Sequence, residues 1–465
     1  TVAAGGTLAP GSGGVGTLTL ADTGAAALTL NGSRLACDLS DTASLCDRID
    51  VAGTLVLEGA NILSLSCPPS GAPSGVYTVM TYVATSGSGS LALDRAYPNT
   101  TLGMDGTHVY LTVTGAGAVD SLVWAGDGVA NVWDTSTPNW SAGLYGDNMR
   151  VVFDDTGSDS PEVNITPAAV APHSVIVDTA VRSYTIGGAG IAGTCGLTKT
   201  GAAGLTLAGT HAYTGVTDVQ AGSLTLSGEL NGSSLTIANG AAFNQTASGT
   251  IAGEAVSVTS VGTATLSGAN TYGGETVVGV VGITNITLTV AHNQALGSTA
   301  GGTRVIGGAT ANFNNSLVLA DGVTVSGETL TLQSGSGRAR LSYAAGSGSA
   351  TWAGDIVLDG GWNYLSCDRS GSTLFVGASA ENIVSGVNRG ISVRGGGTVV
   401  INSTIQTGSG GFIRDDPGIC VLNAADHQFG SLSVVQGTFR LGAANVIPRN
   451  ILVTVGKSGY TADAV

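Results

Sequence analysis

Leu207-Ala-Gly209-Thr-His211-Ala-Tyr213-Thr-Gly215-Val-Thr217-Asp-Val219 decides the fold, because it returns as Leu266-Ser-Gly268-Ala-Asn270-Thr-Tyr272-Gly-Gly274-Glu-Thr276-Val-Val278. Six residues (Leu207, Gly209, Tyr213, Gly215, Thr217 and Val219) are matched 59 positions later by Leu266, Gly268, Tyr272, Gly274, Thr276 and Val278. Composition alone does not place six matches at one offset. If one turn of a coil takes roughly 20–30 residues, the interval holds two to three turns, within the period range of solenoids.

Working outward, short strand signatures recur on both sides: Gly16-Thr-Leu-Thr-Leu20, Gly53-Thr-Leu-Val-Leu57, Gly89-Ser-Leu-Ala-Leu93, Gly222-Ser-Leu-Thr-Leu226, Glu328-Thr-Leu-Thr-Leu332 and Gly430-Ser-Leu-Ser-Val434. Each sets apolar residues at i and i+2 with Ser, Thr or another residue between, so one face packs inward and the other meets solvent. Glycine at the entry turns the corner. The expected fold is therefore all-β: an elongated β-solenoid with an aromatic-rich insertion that breaks the rungs.

Composition agrees. Of 465 residues, 74 are glycine, 10% are charged and 5% aromatic, so the residues that build long helices are scarce. Hydrophobic residues reach 43%, enough for a large core, but in alternating runs. A net charge of −15, with no Lys/Arg cluster, argues against nucleic acid and anionic lipid as partners. No apolar run is long enough for a membrane-spanning helix, and Thr1 in place of Met fits either a processed chain whose leader has been removed or a fragment.

Three segments are expected: a solenoid over residues 1–67, an aromatic-rich insertion or junction over 68–155, and a second solenoid over 156–465. The rigid turn Pro68-Pro-Ser-Gly-Ala-Pro73 opens the insertion. Tyr77, Tyr82, Tyr97, Tyr110, Trp124, Trp133, Trp140, Tyr145 and Phe153 then follow at far above the density elsewhere.

The segment from Gly193 to Gly215, with Thr217 and Ala221-Gly-Ser-Leu-Thr-Leu226, resembles the autotransporter-associated β-strand repeat (passenger-associated transport repeat) of bacterial surface proteins. Leu266–Thr276 is similar to it as well. Gly5-Gly-Thr-Leu-Ala-Pro-Gly11, Trp124-Ala-Gly, Val152-Phe-Asp-Asp155, His292-Asn-Gln-Ala-Leu-Gly297 and Thr351-Trp-Ala-Gly-Asp-Ile356 extend the likeness over most of the chain. What the resemblance implies is a right-handed parallel β-helix displayed outside a bacterial cell. The repeat marks scaffolding and export, not chemistry.

Candidate chemistry is sparse. Asp154, Asp155, Asp159 and Glu162 gather hard oxygens in one turn, a weak calcium candidate that lacks the spacing of a known calcium loop; Asp127 to Asp134 is a second. No other cofactor is expected. The rings of Trp124, Trp133, Trp140 and Tyr145 either fill the core of the insertion or stack on sugar faces of a surface glycan. A polysaccharide lyase or hydrolase would need carboxylates and cations on neighbouring turns, for which Asp355, Arg389, Arg394 and Arg414-Asp-Asp416 are the material. The five histidines are far apart, without metal spacing.

Six cysteines without a C-x-x-C pair fit disulfides better than a thiolate metal site. Cys37 with Cys46 closes a short loop, and Cys46 with Cys67 spans about one turn; both pairings stay open. Cys195, Cys367 and Cys420 serve as disulfide partners or as small buried hydrophobes. Both chain ends read as the interior of a coil, so the chain is expected to be a piece of a longer surface protein or a subunit stacking on its own copies head to tail. The functional expectation is an extracellular, adhesin-like scaffold or filament subunit without enzymatic activity. A polysaccharide-binding or polysaccharide-degrading β-helix is the alternative.

Overall fold

The computed structural model describes residues 1–11, 14–23, 26–68, 71–114, 121–255, 257–283, 285–308, 314–344 and 346–456. Pro69 and Ser70 of the expected rigid turn, and the last nine residues, lie outside these. Among the described residues every regular element is a strand, and none is a helix long and apolar enough to cross a membrane. The fold is an all-β solenoid of stacked parallel strands. It divides into two compact units, Thr1–Asp178 with Ile191–Cys195, and Thr179–Gly190 with Gly196–Val465.

In the first unit, three parallel sheets form the walls of a coil. One runs Thr7–Leu8, Arg34–Asp38, Ala60–Ser66 and Ser90–Leu93, a second Leu28–Asn31, Thr54–Glu58 and Ala84–Ser86, and a third Thr17–Leu20, Arg48–Val51 and Gly75–Thr81. The rungs therefore continue past residue 67, through the start of the expected insertion. Parallel pairing is broken by the hairpin Thr100–Met104 and His108–Val113, which adds antiparallel to Gly75–Thr81. Beyond it, short strands resume in parallel: Leu122–Val123, Arg150–Phe153 and Ser174–Asp178 in one sheet, Val132–Trp133 and Glu162–Ile165 in another.

The second unit shows why the repeated text is a coil. Tyr184, Leu205, Leu224, Phe243, Ala264, Leu288, Leu317, Leu341, Leu365 and Val393 are successive partners across one parallel sheet, and all are buried. Each buried Leu or Phe in such a column contributes about 1.5–3 kcal/mol relative to exposure. The alternate positions Thr206, Thr225, Asn244, Thr265 and Thr289 form a polar row on the other face. On the facing sheet, Thr217, Leu235, Val258 and Thr276 are successive partners, so the 59-residue offset is three rungs.

One residue breaks the apolar column. The partner of Val393 is Arg414, fully buried, whose guanidinium donates to the carbonyls of Val393 (3.0 Å), Gly395 (2.7 Å) and Gly418 (3.3 Å). Gly418 lies where the pairing of Gly411–Leu422 with Ser431–Leu441 shifts register, and Val393 and Gly395 stand at the end of the rung before it. A buried carbonyl without a donor is costly, and Arg414 adds donors at this corner beside the one backbone bond from Gly418 N to the Gly395 carbonyl (3.2 Å).

Candidate functional site

The repeat-defining residues meet inside a corner of the second unit. Tyr213 and Tyr272 are fully buried, and each phenol shares a hydrogen bond with the threonine four residues on: Thr217 Oγ1 at 2.6 Å and Thr276 Oγ1 at 2.7 Å. Thr217 Oγ1 also shares a hydrogen bond with Ser233 Oγ (2.8 Å), which donates to the Gly215 carbonyl (2.6 Å). The glycines of the motif answer to close approach. A Cβ on Gly268 would stand 1.9 Å from the Gly249 carbonyl, and Gly209 combines φ +86° with a carbonyl of Gly188 at 2.4 Å from its Cβ position.

Asn270, buried in the second copy, uses its whole amide. Its Nδ2 donates to the Ala295 carbonyl (2.7 Å) and Gln245 Oε1 (3.1 Å), and its Oδ1 accepts from Ile251 N (2.9 Å) and Gln245 Nε2 (2.6 Å). His211 occupies the matching place in the first copy, buried with Nε2 3.0 Å from the Ala208 carbonyl, and burial holds its pKa down at about 4. Neutral imidazole is thus the form that fits the corner.

Beside Thr276 the partner strand Thr303–Ile306 brings in Thr303, whose hydroxyl donates to Glu328 Oε1 at 2.8 Å. Glu328 is buried, and burial outweighs that hydrogen bond and pushes its carboxyl pKa up. The residue lines a cavity of about 370 Å³ together with Asn293, Leu296, Thr324, Val325 and Ser326. A carboxyl held toward its neutral form can donate one hydrogen bond to a hydroxyl in the cavity. General acid and base working as a pair would need a second titrating partner.

The acidic turn takes a local form. Asp154 accepts from the backbone N and the hydroxyl of Thr156, at 2.8 and 2.5 Å, which closes a turn on itself. Asp127 likewise accepts from Val129 N and Asn131 N, while Asn131 Nδ2 reaches the Ser160 carbonyl at 2.9 Å. Asp155 and Asp159 sit in the same turn as Asp154, and the exposed Glu162 opens the strand that follows. No group of three His, Cys, Asp or Glu side chains stands in a metal-holding arrangement among the described residues. Asp355 accepts from Ile383 N, and Arg394 pairs with Asp415 (2.5 Å) and Asp416 (3.7 Å).

Of the two roles open to the aromatic cluster, core filling and glycan contact, its rings take the first. Trp124, Trp133, Trp140 and Tyr145 are 0–3% exposed, packed with Phe153 at ring-centroid distances of 4.9–6.0 Å. With paired strands of only two residues at Leu122–Val123 and Val132–Trp133, the wall there is thin and the rings fill the volume between the strands.

All six cysteines are thiols. A turn bridges Leu39 to Cys46 and sets Cys37 beside Cys46, with Cys37 Sγ 3.6 Å from the Asp47 carbonyl and Cys46 Sγ 3.5 Å from the Thr78 carbonyl. Hydrogen bonding to Cys46, then burial, pushes the Cys37 thiol up. Cys67 is half-buried, and Cys195, Cys367 and Cys420 are buried, their thiols pushed up by desolvation.

Sequence reasoning passed over a different aromatic. Trp362 is 41% exposed at the start of the strand Trp362–Cys367, and its indole lies against the backbone of two later rungs. A Cβ on Gly390 would be 2.5 Å from the ring, and one on Gly411 3.0 Å. Two residues on, Tyr364 carries the Arg338 guanidinium 4.9 Å from its ring centre and that of Arg394 at 5.7 Å. The available signal was glycine recurring at the rung spacing, Gly390 and Gly411, downstream of a lone tryptophan.

Comparison with protein-family profiles, with curated proteins and with solved structures found no match.

Proposed function

We propose that this chain is a structural scaffold displayed outside a bacterial cell, a passenger-like surface solenoid or the subunit of a head-to-tail extracellular filament, and not an enzyme. One observation carries the reading: the polar groups of the repeated motif are turned inward and used on each other. Tyr213 and Thr217, and again Tyr272 and Thr276, tie a corner of the coil three rungs apart. A motif selected for catalysis or ligand capture would leave such groups facing solvent or a cleft. The likeness of the same residues to an autotransporter passenger repeat supports a surface location.

Electron microscopy of the purified chain tests this. Rods are expected, and the filament form adds lengthening with concentration. Compact particles, or turnover of polysaccharides to new reducing or unsaturated ends, would remove the scaffold reading. The polysaccharide-binding alternative draws on the exposed Trp362.

A further inference from the structure

We infer that the outer sheet face around Trp362 is a binding site for an acidic polysaccharide, with one sugar ring stacked on the indole and a neighbouring carboxylate paired with Arg338. The indole is the starting point. All five tryptophans of the chain are described, and Trp124, Trp133, Trp140 and Trp352 are 0–3% exposed against 41% for Trp362. A large ring left in water forgoes the burial that stabilises the other four, so its position calls for a reason.

Its posture gives one. The ring occupies the space that side chains at Gly390 and Gly411 would fill, so it lies along the sheet, supported by backbone beneath and open above. A flat, immobilised aromatic face loses little freedom when a ligand stacks on it, and the apolar face of a sugar ring is a flat partner of matching size. Covering glycines is a purely structural use of such a ring, and Tyr110 shows it in the first unit, lying 2.5 Å from the Cβ position of its cross-strand partner Gly103. The surroundings of Trp362 go further than that.

The charges set the ligand class. Arg340 pairs with Asp368, and Arg394 with Asp415 and Asp416. Arg338 rests over Tyr364 and has no carboxylate at ion-pair distance among the described residues. A guanidinium held over a phenol ring keeps its fork in a fixed plane, suited to a carboxylate in two-point contact. An uncommitted cation beside an open ring, in a chain of net charge −15, is complementary to a sugar acid and offers nothing particular to a neutral glucan.

The wild-type chain supplies a direct test, since Trp362 alone among its tryptophans is open to a quencher. Acrylamide quenching is measured with and without polygalacturonate or alginate, and with dextran as the neutral control. Protection by a polyuronate and none by dextran is the expected result. In affinity electrophoresis through the same polyuronate, Trp362→Leu should weaken binding about tenfold or more, and Arg338→Gln by several-fold. Leu keeps the glycines covered, and a melting curve of each variant separates lost binding from lost fold. Unchanged quenching with polyuronates, equal protection by dextran, or full retention of Trp362→Leu would each overturn the assignment. Rods seen by microscopy decide the scaffold reading separately.

Discussion

The ring cluster of the first unit and the tyrosine corners of the second solve the same problem, closing a coil, with opposite means. Around Trp133 the parallel pairing spans only two residues at Leu122–Val123 and at Val132–Trp133, and order comes from volume: three indoles, a phenol and Phe153 in mutual contact. Around Tyr213 and Tyr272 the strands are three or four residues long, aliphatic columns supply the dry interior, and a single phenol per corner is fixed by one hydroxyl. Where the backbone ladder is short, side-chain packing determines the structure. Where it is long, side chains only mark the register.

That contrast predicts unequal sensitivity. Trp133→Ala should cost most, about 3–5 kcal/mol by denaturant unfolding, because a neighbourhood of large rigid rings cannot collapse into the space. A loss under 1 kcal/mol would show that the ring cluster is dispensable and the comparison misplaced.

Arg414→Leu comes next, at about 3 kcal/mol, since the replacement fits the apolar column yet removes three hydrogen bonds to buried corner carbonyls, of which Gly395 keeps a backbone donor in Gly418 N. If Leu is instead stabilising, the column matters and the corner does not. The same unfolding experiment decides it.

The buried imidazoles give a pH-dependent loss of similar size. Burial lowers His211 and His427 to about 4, so the unfolded chain, with an ordinary value near 6.5, binds their protons first as pH falls. Stability is then full above about pH 6.5 and is lost toward pH 4, by on the order of 3 kcal/mol for each residue. His211→Asn, the residue found at the matching position 270, should remove its share. An unchanged acid slope would show that His211 does not titrate in this window.

Tyr272→Phe and Tyr213→Phe should cost only about 1 kcal/mol each, the worth of one buried hydrogen bond whose threonine partner stays behind. Thermal melting of both variants checks this. Losses rivalling that of Trp133→Ala would erase the distinction between packing and register.

How much of this could be read beforehand follows from the same contrast. The coil was legible because Leu207 and Leu266, Thr217 and Thr276 repeat at a rung multiple, and the alternation of Leu with Thr fixes which face is dry. The inward use of Tyr213 was not, since a Tyr/Thr spacing of four says nothing of direction until the corner is built. Aromatic density left two readings open, and burial decides between them: Trp124, Trp133, Trp140 and Tyr145 are close in sequence because they share a core. The exposed ring is the solitary Trp362, whose glycine floor comes from rungs 28 and 49 residues later, at Gly390 and Gly411. Arg414 was equally hidden, for its place in an apolar column depends on register with Val393.

Glu328→Gln carries the smallest effect and the opposite sign. Burial raises the Glu328 pKa above that of the unfolded chain, so the folded protein holds the proton longer as pH rises. From about pH 4.3 upward the carboxyl draws stability down until the folded value is passed, after which the full cost of a buried carboxylate remains. Gln keeps an acceptor for Thr303 and cannot ionise, so the variant should melt higher than the parent at pH 8, with the gap closing below pH 4. Since His211 and His427 titrate alike in both proteins, their contribution cancels in the difference. A gap that is constant with pH would mean that shape, not charge, distinguishes the two side chains. The corner beside Thr276 would then tolerate a carboxylate as readily as it tolerates the hydroxyls that fix its register.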